Sequence, residues 1–138
     1  MENKDKQSFN LTPKKLFIFD GVGALISAFM LGVLWIRFDH VVGIPTNTLY
    51  LLATFPVLFA LFDLIAIRQI AARQILFLRI IALANLSYCL LSLGFAWHHH
   101  ETLTTLGWIY IIAEVIIVAS LAYIELKVAK KQKELSPH

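Results

Sequence analysis

A chain of 138 residues that is 59% hydrophobic and 15% charged, with a mean hydropathy of +0.73, lies outside the composition of soluble globular domains. Its single cysteine, Cys89, excludes an intramolecular disulfide and any cysteine-based zinc site. The net charge of +3 does not point to nucleic acid, because the lysines gather near the two ends of the chain beside long apolar stretches, where anionic lipid headgroups are the natural partner.

The chain opens with a basic tail, 1–15, followed by LFIFDGVGALISAFMLGVLWI over 16–36. A signal peptide would also place basic residues before an apolar run, but this run is long and carries no convincing small-residue cleavage site, so we expect a retained membrane helix. The second span is LYLLATFPVLFALFDLIAI over 49–67, the third ILFLRIIALANLSYCLLSLGFAW over 75–97, and the fourth TLGWIYIIAEVIIVASLAYIEL over about 105–126. A second basic tail, 127–138, follows. Each run approaches or exceeds the ~20 residues a spanning helix needs. The connections RFDHVVGIPTNT, RQIAARQ and HHHETLT are short enough to make sequential helices antiparallel neighbours. The predicted fold is an all-α, up-down-up-down four-helix membrane bundle forming one domain.

Lys and Arg set the orientation, being retained on the cytoplasmic side. Eleven of the twelve, all but Arg37, fall on the side that holds both termini. The termini are therefore expected in the cytoplasm, with the protein in a bacterial inner membrane. Trp35, Tyr50, Trp97 and Trp108 fall at the opposite interface, where amphipathic rings prefer to sit. A shift of 60 positions superposes the first two spans on the last two, matching Leu16, Phe17, Ala24, Ser27, Leu31, His40, Tyr50, Ala53 and Leu61 with identical residues. A duplicated hairpin would place a pseudo-two-fold axis along the membrane normal. Apolar helices also share residues by chance, and that alternative stays open.

Asp20-Gly21 with Gly23-Ala24 in the first span, Asn85 with Tyr88-Cys89 in the third, and Glu114 with Glu125 in the fourth form a pattern. It resembles a family of small, uncharacterised bacterial four-helix integral membrane proteins over about residues 14–129. The resemblance implies a topology and no activity. Small multidrug resistance transporters are similar as a class, being short four-helix chains with an intramembrane glutamate. Their essential glutamate lies in the first helix, whereas here that helix carries Asp20 near its end and the mid-span glutamate is in the fourth.

An ionised group at the centre of a span costs at least ~2.5 to 3.5 kcal/mol, which makes intramembrane polar residues the candidates for function. Glu114 lies near the midplane, and Asn85, Ser87, Tyr88 and Cys89 lie at similar depth on the adjacent third helix. Two readings follow: a Glu114 hydrogen-bonded to Asn85 or Tyr88 as packing glue, or a carboxyl that exchanges a proton with substrate or ion. Asp20, Asp63, Arg79 and Glu125 sit near the cytoplasmic ends of four different helices, either as a girdle of ion pairs fixing register or as an inner vestibule for a cation or proton. Three acids against one base leave a deficit that Arg68 or Arg73 would fill. Ala24, Ala28 and Gly32 form a small-residue ridge for close helix packing, within the bundle or in a homodimer. Pro56 should kink the second helix.

Asp39 and His40 in the first connection face the same compartment as His98, His99, His100 and Glu101 in the third. Imidazoles with a carboxylate suit zinc or copper, but consecutive histidines on a helix point about 100° apart, and no HExxH spacing is present. The alternative is an interfacial polar cap, and we expect no cofactor. Gly21-x-Gly23 inside a membrane span is no dinucleotide fingerprint, and Asn85-Leu86-Ser87 lies too deep for glycosylation. Without a catalytic motif, the expected role is a non-enzymatic component of the lipid bilayer: a proton- or ion-coupled transport or accessory protein using Glu114. The alternatives are a scaffold that binds a membrane partner or a second copy of itself, and a periplasmic metal or pH sensor.

Overall fold

The computed structural model describes residues 12–135; Lys4 and Lys6 of the first expected tail and residues 136–138 of the second lie outside that range. Helix α1 starts where Thr12 caps it, its Oγ1 accepting from the Lys15 amide at 3.3 Å, with Pro13 in the first turn. It spans Pro13–Arg37, with a π-helical turn at Met30–Leu34. A short helix α2, Asp39–Val42, then ends at Gly43, whose φ of 78° is left-handed. Helix α3 covers Thr46–Ile67 and keeps Pro56 in its interior without interruption. Helix α4 runs Ala71–His98 and α5 runs Thr105–Leu135. Both last helices pass their expected bounds, and the lysine-rich segment after Leu126 continues α5 rather than forming a tail. Nothing in its sequence stops a helix before Leu135: it holds good helix formers and neither Gly nor Pro.

Helices α1, α3, α4 and α5 are long and apolar enough to cross a membrane, and the protein is a four-helix, multi-pass membrane bundle. Large apolar side chains such as Phe19, Leu25, Phe29, Leu90 and Ile117 point outward. Such a surface suits hydrocarbon and would be a liability in water. Packing is most extensive between α1 and α3 and between α4 and α5, and sparse between α1 and α5. The bundle is therefore two tight hairpins with a loosely closed seam.

Two apolar clusters close its ends. At the end bearing both described chain termini, here called the lysine end, Leu16, Phe17, Ala66, Leu78, Ile81, Val128 and Ala129 pack together. At the opposite, histidine end, Leu31, Val42, Ile44, Leu49, Leu103 and Ile111 do so. Hydrogen bonds join the two hairpins at the histidine end. The Thr104 amide donates to the Val42 carbonyl at 3.1 Å, Thr102 Oγ1 to the Gly43 carbonyl at 3.0 Å, and Thr104 Oγ1 to the Val41 carbonyl. Thr104 Oγ1 also accepts from the Gly107 amide at 3.1 Å, capping α5.

This join relies on glycine. A Cβ on Gly107 would stand 2.2 Å from the Val42 carbonyl oxygen, and one on Gly43 would stand 1.9 Å from the Thr102 carbonyl oxygen. By contrast, a Cβ on Gly94 meets nothing within 4 Å. Gly107→Val should therefore destabilise the purified protein by about 1–3 kcal/mol, the usual cost of overpacking. Thermal unfolding in detergent should show a lowered midpoint for Gly107→Val and none of that loss for Gly94→Ala.

Candidate ligand cavity

Between the two apolar clusters lies a polar layer. Asn85, on α4, uses its single amide group twice: Nδ2 donates to Asp20 Oδ1 at 2.8 Å and to Glu125 Oε1 at 3.1 Å. All three residues are buried. Asp63, 1% exposed, joins them from α3, with Asp20 and Glu125 as its acidic neighbours. Both Asp63 oxygens, Asp20 Oδ2 and Glu125 Oε2 have no hydrogen-bond partner among the described residues. The expected grouping of Asp20, Asp63 and Glu125 is thus present, but Arg79 is not part of it. It remains partly exposed and forms no ion pair with these acids among the described residues, and Arg68 and Arg73 are exposed and do not fill the deficit. An arginine near a helix end can reach the interface at less cost than it can enter the core.

Glu114 occupies a different environment. The Tyr88 hydroxyl donates to Glu114 Oε1 at 2.6 Å, and Tyr110 lines the same cavity. Of the two partners expected from sequence, Tyr88 is used and Asn85 is not. Ser87 is exposed and points away from the site, while Ser92, one turn beyond Tyr88, is buried. Tyr110 was not singled out by sequence reasoning. The available signal was its spacing, four residues before Glu114 on one helix face.

These side chains line a cavity of about 400 Å³ formed by all four spanning helices. Asp20, Asn85, Tyr88, Tyr110 and Glu114 supply much of its polar wall, and Phe59, Pro56, Val118 and Leu121 are among its apolar lining. Phe59 and Tyr88 meet edge to face with ring centroids 6.0 Å apart. Pro56 therefore sits at the cavity wall, and Met30 of the π-helical turn borders it too. Ile26 of α1 and Ile117 of α5, both largely exposed, flank the opening at the loose α1–α5 seam. With both ends of the bundle packed, the cavity opens sideways, towards the lipid.

The ridge residues divide between two uses. Gly32 admits α3 closely, since a Cβ there would stand 3.3 Å from Ala53 Cβ. Ala24 lines the cavity, and Ala28 is partly buried beside them. A second, shallower groove of about 340 Å³ runs between α1 and α3, with Gly21 and Asp63 on its wall.

The histidine end shows a polar cap. Asp39 Oδ2 accepts from Thr46 Oγ1 at 3.0 Å, His40 Nδ1 lies 3.8 Å from Asp39 Oδ1, and His99 Nε2 pairs with Thr48 Oγ1 at 3.2 Å. His100 stacks on Trp97, His98 meets His99 edge to face, and Glu101 is exposed. No three His, Cys, Asp or Glu side chains converge for a metal among the described residues. The neighbouring histidines diverge around the helix end, as their spacing requires. Comparison with family models, curated proteins and solved structures returns no match.

Burial lowers the His99 imidazole from its ordinary range, with the adjacent His98 charge adding to the effect. A lowered folded-state value means that the fold favours neutral His99. Its contribution is present above the unfolded-chain value of about 6.5 and is lost as pH falls towards the folded value. Thermal scans should show wild-type stability declining more steeply below about pH 6.5 than that of His99→Gln.

Proposed function

We propose that this membrane protein is a proton- or ion-coupled transport component in which Glu114 is the exchanging carboxyl. The observation that carries the reading is the placement of Glu114 on the wall of a laterally open cavity rather than in packed apolar core. A carboxyl there can trade a proton for a cationic group. Tyr88 holds it in place by donating a hydrogen bond, and that bond strengthens when the carboxyl is charged. Asp20 and Asn85 border the same cavity and tie it to buried Glu125. Ligand entry at Asp20 would thus be sensed by α4 and α5 through one shared amide.

The charge distribution supports a bacterial inner membrane with both termini cytoplasmic. The acid layer would then lie on the cytoplasmic side of Glu114, and the polar cap on the outer side. The fully buried Asp20–Asn85–Glu125 network favours one second reading, a scaffold subunit whose polar groups serve helix packing alone.

Purified protein in liposomes loaded with a pH-sensitive dye distinguishes the two. Imposed cation gradients should drive a luminal pH change that Glu114→Gln slows at least about tenfold, the scale of ~1.4 kcal/mol of lost interaction. Equal rates in wild type and variant would remove Glu114 from the transport role, and the absence of any coupled flux would favour the scaffold.

A further inference from the structure

We propose that Asp63, with Asp20 and Glu125 beside it, is a second proton-binding site, separate from Glu114 and loaded through the groove between α1 and α3. The inference does not depend on the role given to Glu114.

A shortage of donors is the first observation. Asn85 Nδ2 donates to Asp20 Oδ1 at 2.8 Å and to Glu125 Oε1 at 3.1 Å, which uses both of its hydrogens. Asp20 Oδ2, Glu125 Oε2 and both Asp63 oxygens are left buried without a partner among the described residues. Asp63 is 1% exposed, and Asp20 and Glu125 are its acidic neighbours. A carboxylate can only accept, whereas a carboxylic acid also donates through its O–H. A proton on Asp63 therefore supplies the donor that an oxygen of Asp20 or Glu125 lacks, and it removes one of three like charges.

No side chain around the layer takes the proton's place. Helix α1 brings Asp20, α3 brings Asp63, α4 brings the neutral Asn85 and α5 brings Glu125. Arg79 of α4 is partly exposed and pairs with none of these acids among the described residues. Nor do the carboxyls form a group that could hold a metal ion among the described residues. The proton is the cation that suits such a set, since it needs only one oxygen to bind and one to accept from it.

Access is the second observation. Asp63 and Gly21 lie on the wall of the groove of about 340 Å³. A Cβ on Gly21 would stand 3.5 Å from Asp63 Cβ and 3.8 Å from its Oδ2, so the glycine leaves only thin cover over the carboxyl. The groove reaches Phe17 and Ile67 at the lysine end. Ile67 is the last residue of α3, which puts Asp63 ~6 Å from that helix end. Asp20 borders the cavity instead, so the two aspartates face different recesses. Loading is a proton transfer alone. Hydronium in the groove gives H⁺ to an Asp63 oxygen and leaves as water, and release reverses the step without any change of oxidation state.

Infrared spectra of the full-length protein in detergent at about pH 7, where exposed carboxyls are ionised, test the site through the carbonyl stretch of a protonated acid. Wild type and Glu114→Gln should both show a carboxylic-acid band that shifts in heavy water, and Asp63→Asn should lose it. That substitution supplies amide hydrogens where the proton stood, so the fold should survive. Gly21→Ala adds a methyl in ordinary contact with Asp63 and should slow hydrogen–deuterium exchange of the band relative to Gly23→Ala, whose methyl meets nothing within 4 Å. The glycine pair decides the matter even where Asp63→Asn fails to fold. Absence of the band from Glu114→Gln, its survival in Asp63→Asn, its loss when sodium is added at constant pH, or equal exchange in the two glycine variants would overturn the proposal. None of these readouts uses flux, so the transport role of Glu114 stands or falls separately.

Discussion

One amide group, that of Asn85, holds the polar centre of this bundle together. It donates to carboxyls from the first and last spanning helices at 2.8 and 3.1 Å, and hydrocarbon offers no water to replace either bond. Unsatisfied polar groups there cost several kcal/mol each, so α1 and α5 are both referred to α4 at a fixed depth. The apolar clusters above and below can pack in many ways by composition alone. The Asn85 bonds select one register, and that register carries Glu114 to the cavity wall instead of into a packed interface.

The same layer accounts for the uneven closure of the bundle. Within the α1–α3 hairpin, the small residues Gly32 and Ala53 allow close approach. Between hairpins, contact at the histidine end depends on backbone carbonyls meeting threonines across Gly43 and Gly107. At the lysine end it depends on Leu16, Phe17, Val128 and their neighbours. Mid-span, α1 and α5 are held through Asn85 and meet sparsely in direct contact. A cavity at that height is the geometric result of two pinned ends around a polar spacer.

The four helices, their order and the candidate acids were legible because each follows from a local property. Apolar run length marks a span, short connections make neighbours, and a carboxyl inside a run stands out against its surroundings. Side-chain partners were less legible, since depth alone does not say which face of a helix a residue occupies. Ser87 and Asn85 lie at nearly the same depth, yet one is exposed and the other buried. Arg79 looked like the base for three acids because of its depth, but its long side chain reaches outward at less cost. Tyr110 escaped notice because a tyrosine near a helix end reads first as an interfacial anchor. The π-helical turn has no sequence marker that period counting would find, and the continuation of α5 was obscured by treating charge as the end of a helix rather than of the membrane.

The central claim is that Glu114 faces a cavity open to the lipid while Glu125 is sealed within the bundle. A lipid-soluble carbodiimide, which modifies carboxyls it can reach from hydrocarbon, tests this directly when the labelled protein is mapped by mass spectrometry. The account predicts modification at Glu114, with Glu125 unmodified. Labelling of Glu125 in preference to Glu114, or no labelling of Glu114 in folded protein, would contradict it.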